Sequence, residues 1–329
     1  MTGRALLWWL AAASASAVVA ACLIGSTPLG IGRVVAALAG AGSPGDQIVV
    51  WEIRLPRALA AFAVGAALGA SGAAMQGLLR NPLAEPGVLG VSATASLGAT
   101  FVIYYGLVDV GAFAMPLAAI AGALAATSVL TVAALRVGSM VTLILVGIGL
   151  SSFAGAMMSL LMNFAPNPFS LADMLSWTLG TVANRSFADL LLAAPFGIAG
   201  LGLLALSRRS LSALTLGEEA AAGVGVDLPR ARRLVVIGAG LATGAAVSVA
   251  GAIGFVGIVA PHLVRPFVDH DPARTLAPSA LLAGLILVVA DIGVRIAPTS
   301  AELRLGVVAA LIGAPFFVWI AARRSMSNA

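Results

Sequence analysis

The sequence contains no lysine, one cysteine and two histidines among its 329 residues. A Gly-x-x-x-x-Gly-Lys loop for nucleotide phosphates therefore cannot form, which excludes ATP hydrolysis by that motif. The single cysteine, Cys22, excludes a disulfide framework and a thiolate metal cluster within the chain. The two histidines, His262 and His270, exclude a multi-histidine metal site.

Charged residues are also scarce. They make up 9% of the chain, whereas 60% of the residues are hydrophobic. Soluble domains carry roughly one quarter charged residues, so this chain cannot cover a water-facing surface of its size. A spanning helix needs about 20 apolar residues, and the length therefore allows about ten spans with short connections.

We expect an all-α, polytopic membrane protein in which residues 1–329 form a single transmembrane domain. The predicted spans lie at about 5–25, 57–79, 91–108, 113–135, 140–162, 188–206, 234–250, 251–264, 275–294 and 305–322. The eighth is short and rich in glycine, which indicates a broken or partial span. The first resembles a secretory signal after Arg4, but it continues to Ile24, which favours a retained span.

All 18 basic residues are arginines, and they are scattered at helix ends rather than gathered on one face, which argues against nucleic acid as a partner. If both termini are cytoplasmic, twelve arginines fall inside and six outside, as the positive-inside rule requires. The six outside are Arg33, Arg54, Arg57, Arg185, Arg295 and Arg304.

Three of the outer arginines lie near predicted span ends. Arg54 and Arg57 flank Pro56 at the mouth of the second span, and Arg295 follows Asp291 by one helical turn. These guanidinium groups either reach the lipid headgroups or receive an anionic partner from outside, and the residues alone leave both readings open.

Three polar or interrupted segments stand out between the spans. The first, Met75–Gly90, carries Pro82 and Pro86, which disfavour helix and indicate a turn or an inner gate. The second, Ser207–Arg233, predicts two short helices broken at glycine, with a shape suited to docking on a partner. The third, Gly251–Asp271, ends in Asp269-His270-Asp271, where a metal or proton-relay site is the alternative to a solvated turn.

These segments together resemble the FecCD-type permeases, which import iron–siderophore complexes, haem and cobalamin. The resemblance runs from about Arg54 to Arg324. It rests on Arg54-Leu-Pro-Arg57, Gln76…Arg80-Asn-Pro-Leu-Ala-Glu-Pro-Gly87, Gly217-Glu-Glu-Ala220, Gly254-Phe-Val-Gly-Ile-Val-Ala-Pro-His262-Leu-Val-Arg265 and Gly313-Ala-Pro315-Phe-Phe, which follow one another in that family's order.

The resemblance implies a ten-helix permease with the fold of cobalamin permeases (type II ABC importers) in the bacterial inner membrane. It implies a second permease subunit, in a homodimer or sometimes in a paired heterodimer, two cytoplasmic ATPase subunits and a periplasmic substrate-binding protein, besides membrane lipid. This chain would not be an enzyme and would bind no cofactor, since ATP and magnesium belong to the ATPase subunits.

The resemblance also assigns roles to residues. It implies that Arg54, Arg57 and Arg295 face acidic residues of the binding protein. It implies an ATPase coupling loop that contains Gly217, Glu218, Glu219, Ala220 and Gly223. We expect the pathway or gate to include Met75, Gln76, Asn81, Pro82 and Ser92.

The cargo is expected to be a bulky iron complex. The Pro-rich segment 163–173 differs from the corresponding segment of the haem and cobalamin permeases in that family, so the resemblance favours a ferric siderophore, and haem and cobalamin are the alternatives. An ion-coupled secondary transporter would need buried acids, which only Asp291 approaches, and Arg295 can pair with it. An intramembrane enzyme would need a Ser-His, metal or paired-acid group within the spans, and the sequence shows none.

Overall fold

The structure is a computed structural model and describes residues 3–25, 28–87, 89–137, 140–297 and 303–327. Its α-helices are α1 (Gly3–Leu23), α2 (Ile31–Leu38), α3 (Pro44–Gln47), α4 (Leu55–Leu78), α5 (Val91–Tyr104), α6 (Ala114–Val137), α7 (Met140–Asn163), α8 (Pro168–Leu179), α9 (Phe187–Leu206), α10 (Arg208–Ala213), α11 (Glu218–Gly223), α12 (Leu228–Ala250), α13 (Val256–Val264), α14 (Pro272–Ile296) and α15 (Leu305–Ser327). A π-helix, Ile48–Arg54, joins α3 to α4. Regular structure in these described ranges is entirely helical.

Each of the ten predicted spans corresponds to a helix, which confirms the all-α membrane fold. Among the residues that the structure describes, seven helices are long and apolar enough to cross a membrane, and α5 and the apolar part of α15 are shorter. The predicted break in the eighth span is also confirmed, because α12 ends at Ala250 and α13 begins only at Val256.

Helices α4 and α12 form the centre of the bundle. In the span that contains each of these helices, 78% of an apolar stretch of 18 residues is buried. The corresponding share is 17–44% in the other five candidate spans. Small residues allow this packing, because lipid provides no hydrophobic force between helices and close backbone contact must replace it. Gly65 and Gly69 of α4 lie against the backbone of α14, and Gly200 of α9 lies against α12.

Helix α8 was not predicted. It is only 12 residues long and begins at Pro168, and the sequence pattern there was interpreted as a Pro-rich connection. Proline is well tolerated in the first turn of a helix, and Asn167 caps this turn by accepting a hydrogen bond from Ser170 N at 2.8 Å. Segment 163–173 therefore contains a helix start.

One end of the bundle carries the C-terminus of α1, the N-terminus of α4 and the C-terminus of α14; it is the predicted periplasmic end. Arg33 and Asp46 stabilise a helical cap there through two hydrogen bonds of 2.6 and 2.9 Å between α2 and α3. The opposite end carries the C-terminus of α4 together with α10 and α11, as the predicted topology requires.

Candidate docking and coupling sites

The three predicted docking arginines lie together at the predicted periplasmic end, and two of them, Arg57 and Arg295, bind one carboxylate. Arg57 donates to Asp291 at 2.8 and 3.0 Å, and Arg295, on the next turn of α14, binds the other oxygen of that carboxylate. We call Arg54, Arg57, Asp291 and Arg295 the outer arginine cluster. Asp291 therefore forms the ion pair with Arg295 that the sequence had allowed.

The same cluster also donates hydrogen bonds to the backbone carbonyl groups at the C-terminal end of α1. Arg54 donates to the carbonyl oxygens of Cys22 and Leu23 at 2.9 and 3.0 Å, and Arg295 donates to that of Ala21 at 2.8 Å. The last carbonyls of a helix lack intrahelical partners, so these bonds replace an ordinary C-terminal cap.

Burial differs among the members of the outer arginine cluster. Arg54 is 4% exposed, and the side chains of Arg295 and Arg57 are 5% and 13% exposed. Three guanidinium groups and one carboxylate leave a formal charge of +2 at this end. The cluster thus combines a structural role with a net positive charge.

The predicted coupling loop occupies the opposite end. A short 3₁₀ turn, Leu214–Leu216, leads to Gly217, whose φ of +101° breaks the helix before α11 begins at Glu218. This confirms the predicted break at glycine between two short helices. Within α11, Ala221 is buried, whereas Glu219, Ala220 and Gly223 are exposed.

Glu218 and Glu219 differ in environment although they are adjacent. Glu218 accepts two hydrogen bonds, of 2.9 and 3.0 Å, from Arg232 of α12. This ion pair fixes α11 to the start of a central helix. Glu219 is exposed, as are two apolar side chains near it in the sequence, Leu216 and Val224, at 67% and 68%.

The predicted pathway residues fall into two groups. Met75 and Gln76 are 0% and 2% exposed and lie between helices of the same chain. Gln76 accepts a hydrogen bond from Arg265 at 2.5 Å and donates to Gly257 O at 3.3 Å, so it links α4 to α13. Asn81, Pro82 and Ser92 have exposed or partly exposed side chains in or just after the α4–α5 loop.

The Asp269-His270-Asp271 turn has a structural explanation. Asp271 caps α14 by accepting from Ala273 N at 2.9 Å and also accepts from Ser212 Oγ at 2.6 Å. Asp269 binds Arg274 at 3.0 Å, and His270 is exposed. Among the described residues, no group of three or more His, Cys, Asp or Glu side chains could hold a metal ion.

Two residues at these sites had not been singled out by their chemistry. Arg232 lies within the segment Ser207–Arg233, but its pairing with Glu218 across a turn has no local sequence signal. Phe255 was read only as part of a motif, yet it holds a φ of +66° at the start of α13. Such a conformation is rare for a bulky residue and marks a constrained position.

Comparison with known proteins gives one consistent result. The model of the FecCD transport family matches residues 13–323. The uncharacterised ABC transporter permease protein YvrB of Bacillus subtilis is 40% identical over 290 residues, which cover 87% of this chain and 82% of that protein. The vitamin B12 import system permease protein BtuC of Salmonella typhi is 41% identical over 287 residues, covering 84% and 86%.

A solved structure shows the same fold. It is an ABC transporter of the metal-chelate type in an inward-facing conformation, and it superposes on this chain with a TM-score of 0.87 at 28% identity. The superposition covers 97% of this chain and 99% of that one.

Proposed function

The chain belongs to the FecCD transport family and is an ABC-transporter permease, and from this premise we propose that it moves a bulky metal chelate across the inner membrane. The observation that supports the proposal is that the two candidate interaction sites lie at opposite ends of the helix bundle. The outer arginine cluster offers net positive charge at one end, and the coupling loop offers an exposed helix tip at the other. A permease between a binding protein and an ATPase needs both surfaces.

The cargo is proposed at the level of a metal chelate, with cobalamin as the first compound to test. Two observations support this choice: a 41% identical relative is named for vitamin B12, and the structural neighbour is of the metal-chelate type. Ferric siderophore, which the segment 163–173 had favoured, is the second compound, and haem is the third.

The proposal predicts ATP-dependent uptake by a reconstituted complex. We would combine the chain in liposomes with candidate ATPase and binding-protein subunits from the same organism and measure uptake of radiolabelled cobalamin, ferric siderophore and haem. We expect uptake of one cargo that requires all three proteins, and light scattering of the purified complex should show two copies of this chain. Uptake by this chain alone, without ATP, would show a secondary transporter instead.

We propose further that the exposed tip of the coupling loop binds the ATPase subunits. Burying a leucine is worth about 1.5–3 kcal/mol, so Leu216→Ser should weaken ATPase association about tenfold or more. Affinity would be measured in detergent with the purified ATPase subunit. The matched control is Val110→Ser, because Val110 is 80% exposed at the predicted periplasmic end and should have no effect. Equal loss in both variants would contradict this assignment.

A further inference from the structure

An open pocket lies at the predicted cytoplasmic end of the bundle, where α9, α10 and the start of α14 meet. Its volume of about 700 Å³ is within the range of about 300–1,000 Å³ that is typical of small-molecule sites. Leu206 lines it from the end of α9, Arg208 and Arg209 line it from α10, and Asp271 and Arg274 line it from the start of α14. We call it the inner basic pocket.

Two hydrogen bonds join α10 to the start of α14 and shape this pocket. Arg208 Nε donates to Ala273 O at 3.1 Å, and Ser212 Oγ donates to the carboxylate of Asp271 at 2.6 Å. Asp271 also accepts from Ala273 N at 2.9 Å as the cap of α14. The one carboxylate that lines the pocket is therefore already engaged in capping α14 and in linking it to α10.

The inner basic pocket carries net positive charge. Its three guanidinium groups and one carboxylate leave a formal charge of +2. Asp269, which lies beside the pocket and pairs with Arg274 at 3.0 Å, reduces this to +1. Arg209 is exposed and forms no hydrogen bond or ion pair with another residue in the part of the chain that the structure describes. One guanidinium group is thus available to an anion from outside the chain.

The pocket is continuous with the exposed apolar face of α9. Leu191, Ile198 and Leu206 recur at a spacing of about two helical turns and are each about 70% exposed. An apolar face of this kind on a spanning helix meets the acyl chains of the lipid. Because Leu206 belongs both to this face and to the pocket wall, an acyl chain that follows α9 brings its headgroup to Arg209.

We propose that the inner basic pocket binds the phosphate group of an anionic phospholipid from the predicted cytoplasmic leaflet. Guanidinium groups match phosphate oxygens in charge and in geometry, and basic pockets at this side of membrane proteins bind anionic headgroups. A free phosphate shares this chemistry but has no acyl chain to cover Leu206. An acidic segment of the ATPase would also meet the arginines, but it would leave the exposed face of α9 unexplained.

The bound headgroup has a consequence for the coupling loop. It bridges Arg209 of α10 and Arg274 of α14, which reinforces the two hydrogen bonds between these helices. Helix α10 leads directly into the turn before Gly217, so the lipid stabilises the position of the coupling loop relative to α14. The site itself does not depend on which cargo the permease carries.

The test measures lipid binding to the purified chain in neutral detergent by native mass spectrometry. We expect one phosphatidylglycerol per chain to bind about tenfold more tightly than phosphatidylcholine, whose headgroup has no net charge. Arg209→Gln should weaken phosphatidylglycerol binding about fivefold, because one arginine beside an anionic lipid contributes about that factor. The matched control is Arg136→Gln, since Arg136 is an exposed arginine at the end of α6, on the same predicted side but outside the pocket, and should bind like the wild type.

A second substitution tests the pocket by raising its charge, which loss of folding cannot imitate. Asp269→Asn removes the exposed carboxylate that pairs with Arg274. Asparagine tolerates the φ of +56° at this position, so the turn should persist. We expect phosphatidylglycerol to bind about fivefold more tightly to this variant than to the wild type.

Three outcomes would overturn the proposal. Equal loss in Arg209→Gln and Arg136→Gln would show attraction by the overall positive charge instead of a site. Displacement of the lipid by an equal concentration of glycerol phosphate would assign the pocket to a soluble phosphate compound. Unchanged lipid affinity in Arg209→Gln would exclude the lipid, and weaker binding of the purified ATPase subunit to that variant would then assign the pocket to the partner protein. Binding is measured without cargo or ATP, so failed uptake in liposomes would not count against this site.

Discussion

Gly72→Val is expected to prevent stable folding of the permease. Gly72 of α4 lies directly against the carbonyl group of Gly257 in α13, so a Cβ atom there meets backbone rather than a flexible side chain. Overpacking a well-packed core costs about 1–3 kcal/mol even where side chains can adjust. Here α4 and α13 must separate, which also breaks the contact between Gln76 and Gly257.

Thermal unfolding of the purified chain in detergent measures this effect. The matched control is Gly202→Val in α9, because Gly202 has no atom within 4 Å of an added Cβ and faces outward. We expect the control to unfold at the wild-type temperature within a few degrees. A Gly72→Val protein with the same stability as the control would mean that α4 and α13 are not in contact.

Arg57→Gln is expected to weaken association with the binding protein by about ten- to hundredfold, which corresponds to about 1.4–2.8 kcal/mol. The substitution lowers the formal charge of the outer arginine cluster from +2 to +1. Asp291 keeps Arg295 as its partner, so the carboxylate is not left unpaired and the fold should persist. Arg57 is also the most exposed of the cluster's three arginines.

Affinity would be measured by surface plasmon resonance on nanodiscs at two salt concentrations, with thermal unfolding as the check on folding. Arg33→Gln serves as the matched control, because it removes one positive charge from the same end at a side chain that is 61% exposed. The control should change the affinity by less than about threefold, since exposed pairs contribute little. Unchanged affinity in a folded Arg57→Gln protein would show that the cluster serves only the structure.

The spans were predictable because each needs only a run of apolar residues, which is a local property. Helix α8 was not, since 12 residues after Pro168 fall below spanning length and proline suggests a turn. The pairing of Arg295 with Asp291 follows from their spacing of one helical turn. The partners of Arg54 could not be predicted, because they are backbone carbonyls that leave no mark in the sequence.

The contacts between segments that are distant in the sequence could not be predicted either. Glu85 and Gly254 belong to separate motifs, and no periodicity relates them, yet both line one cavity. Helices α4 and α12 are each a buried helix rich in small residues that is followed by an irregular stretch. The structure adds that these two irregular stretches meet at that cavity.

The outer arginine cluster has a consequence for how the chain is made. A ribosome delivers α1 and then Arg54 and Arg57 to the membrane, but Asp291 follows Arg57 only after another 234 residues. Until α14 is made, these guanidinium groups are therefore at the membrane without their carboxylate. Arg54 can already bind the last carbonyls of α1, but the bond from Arg295 to Ala21 O forms only when α14 is inserted.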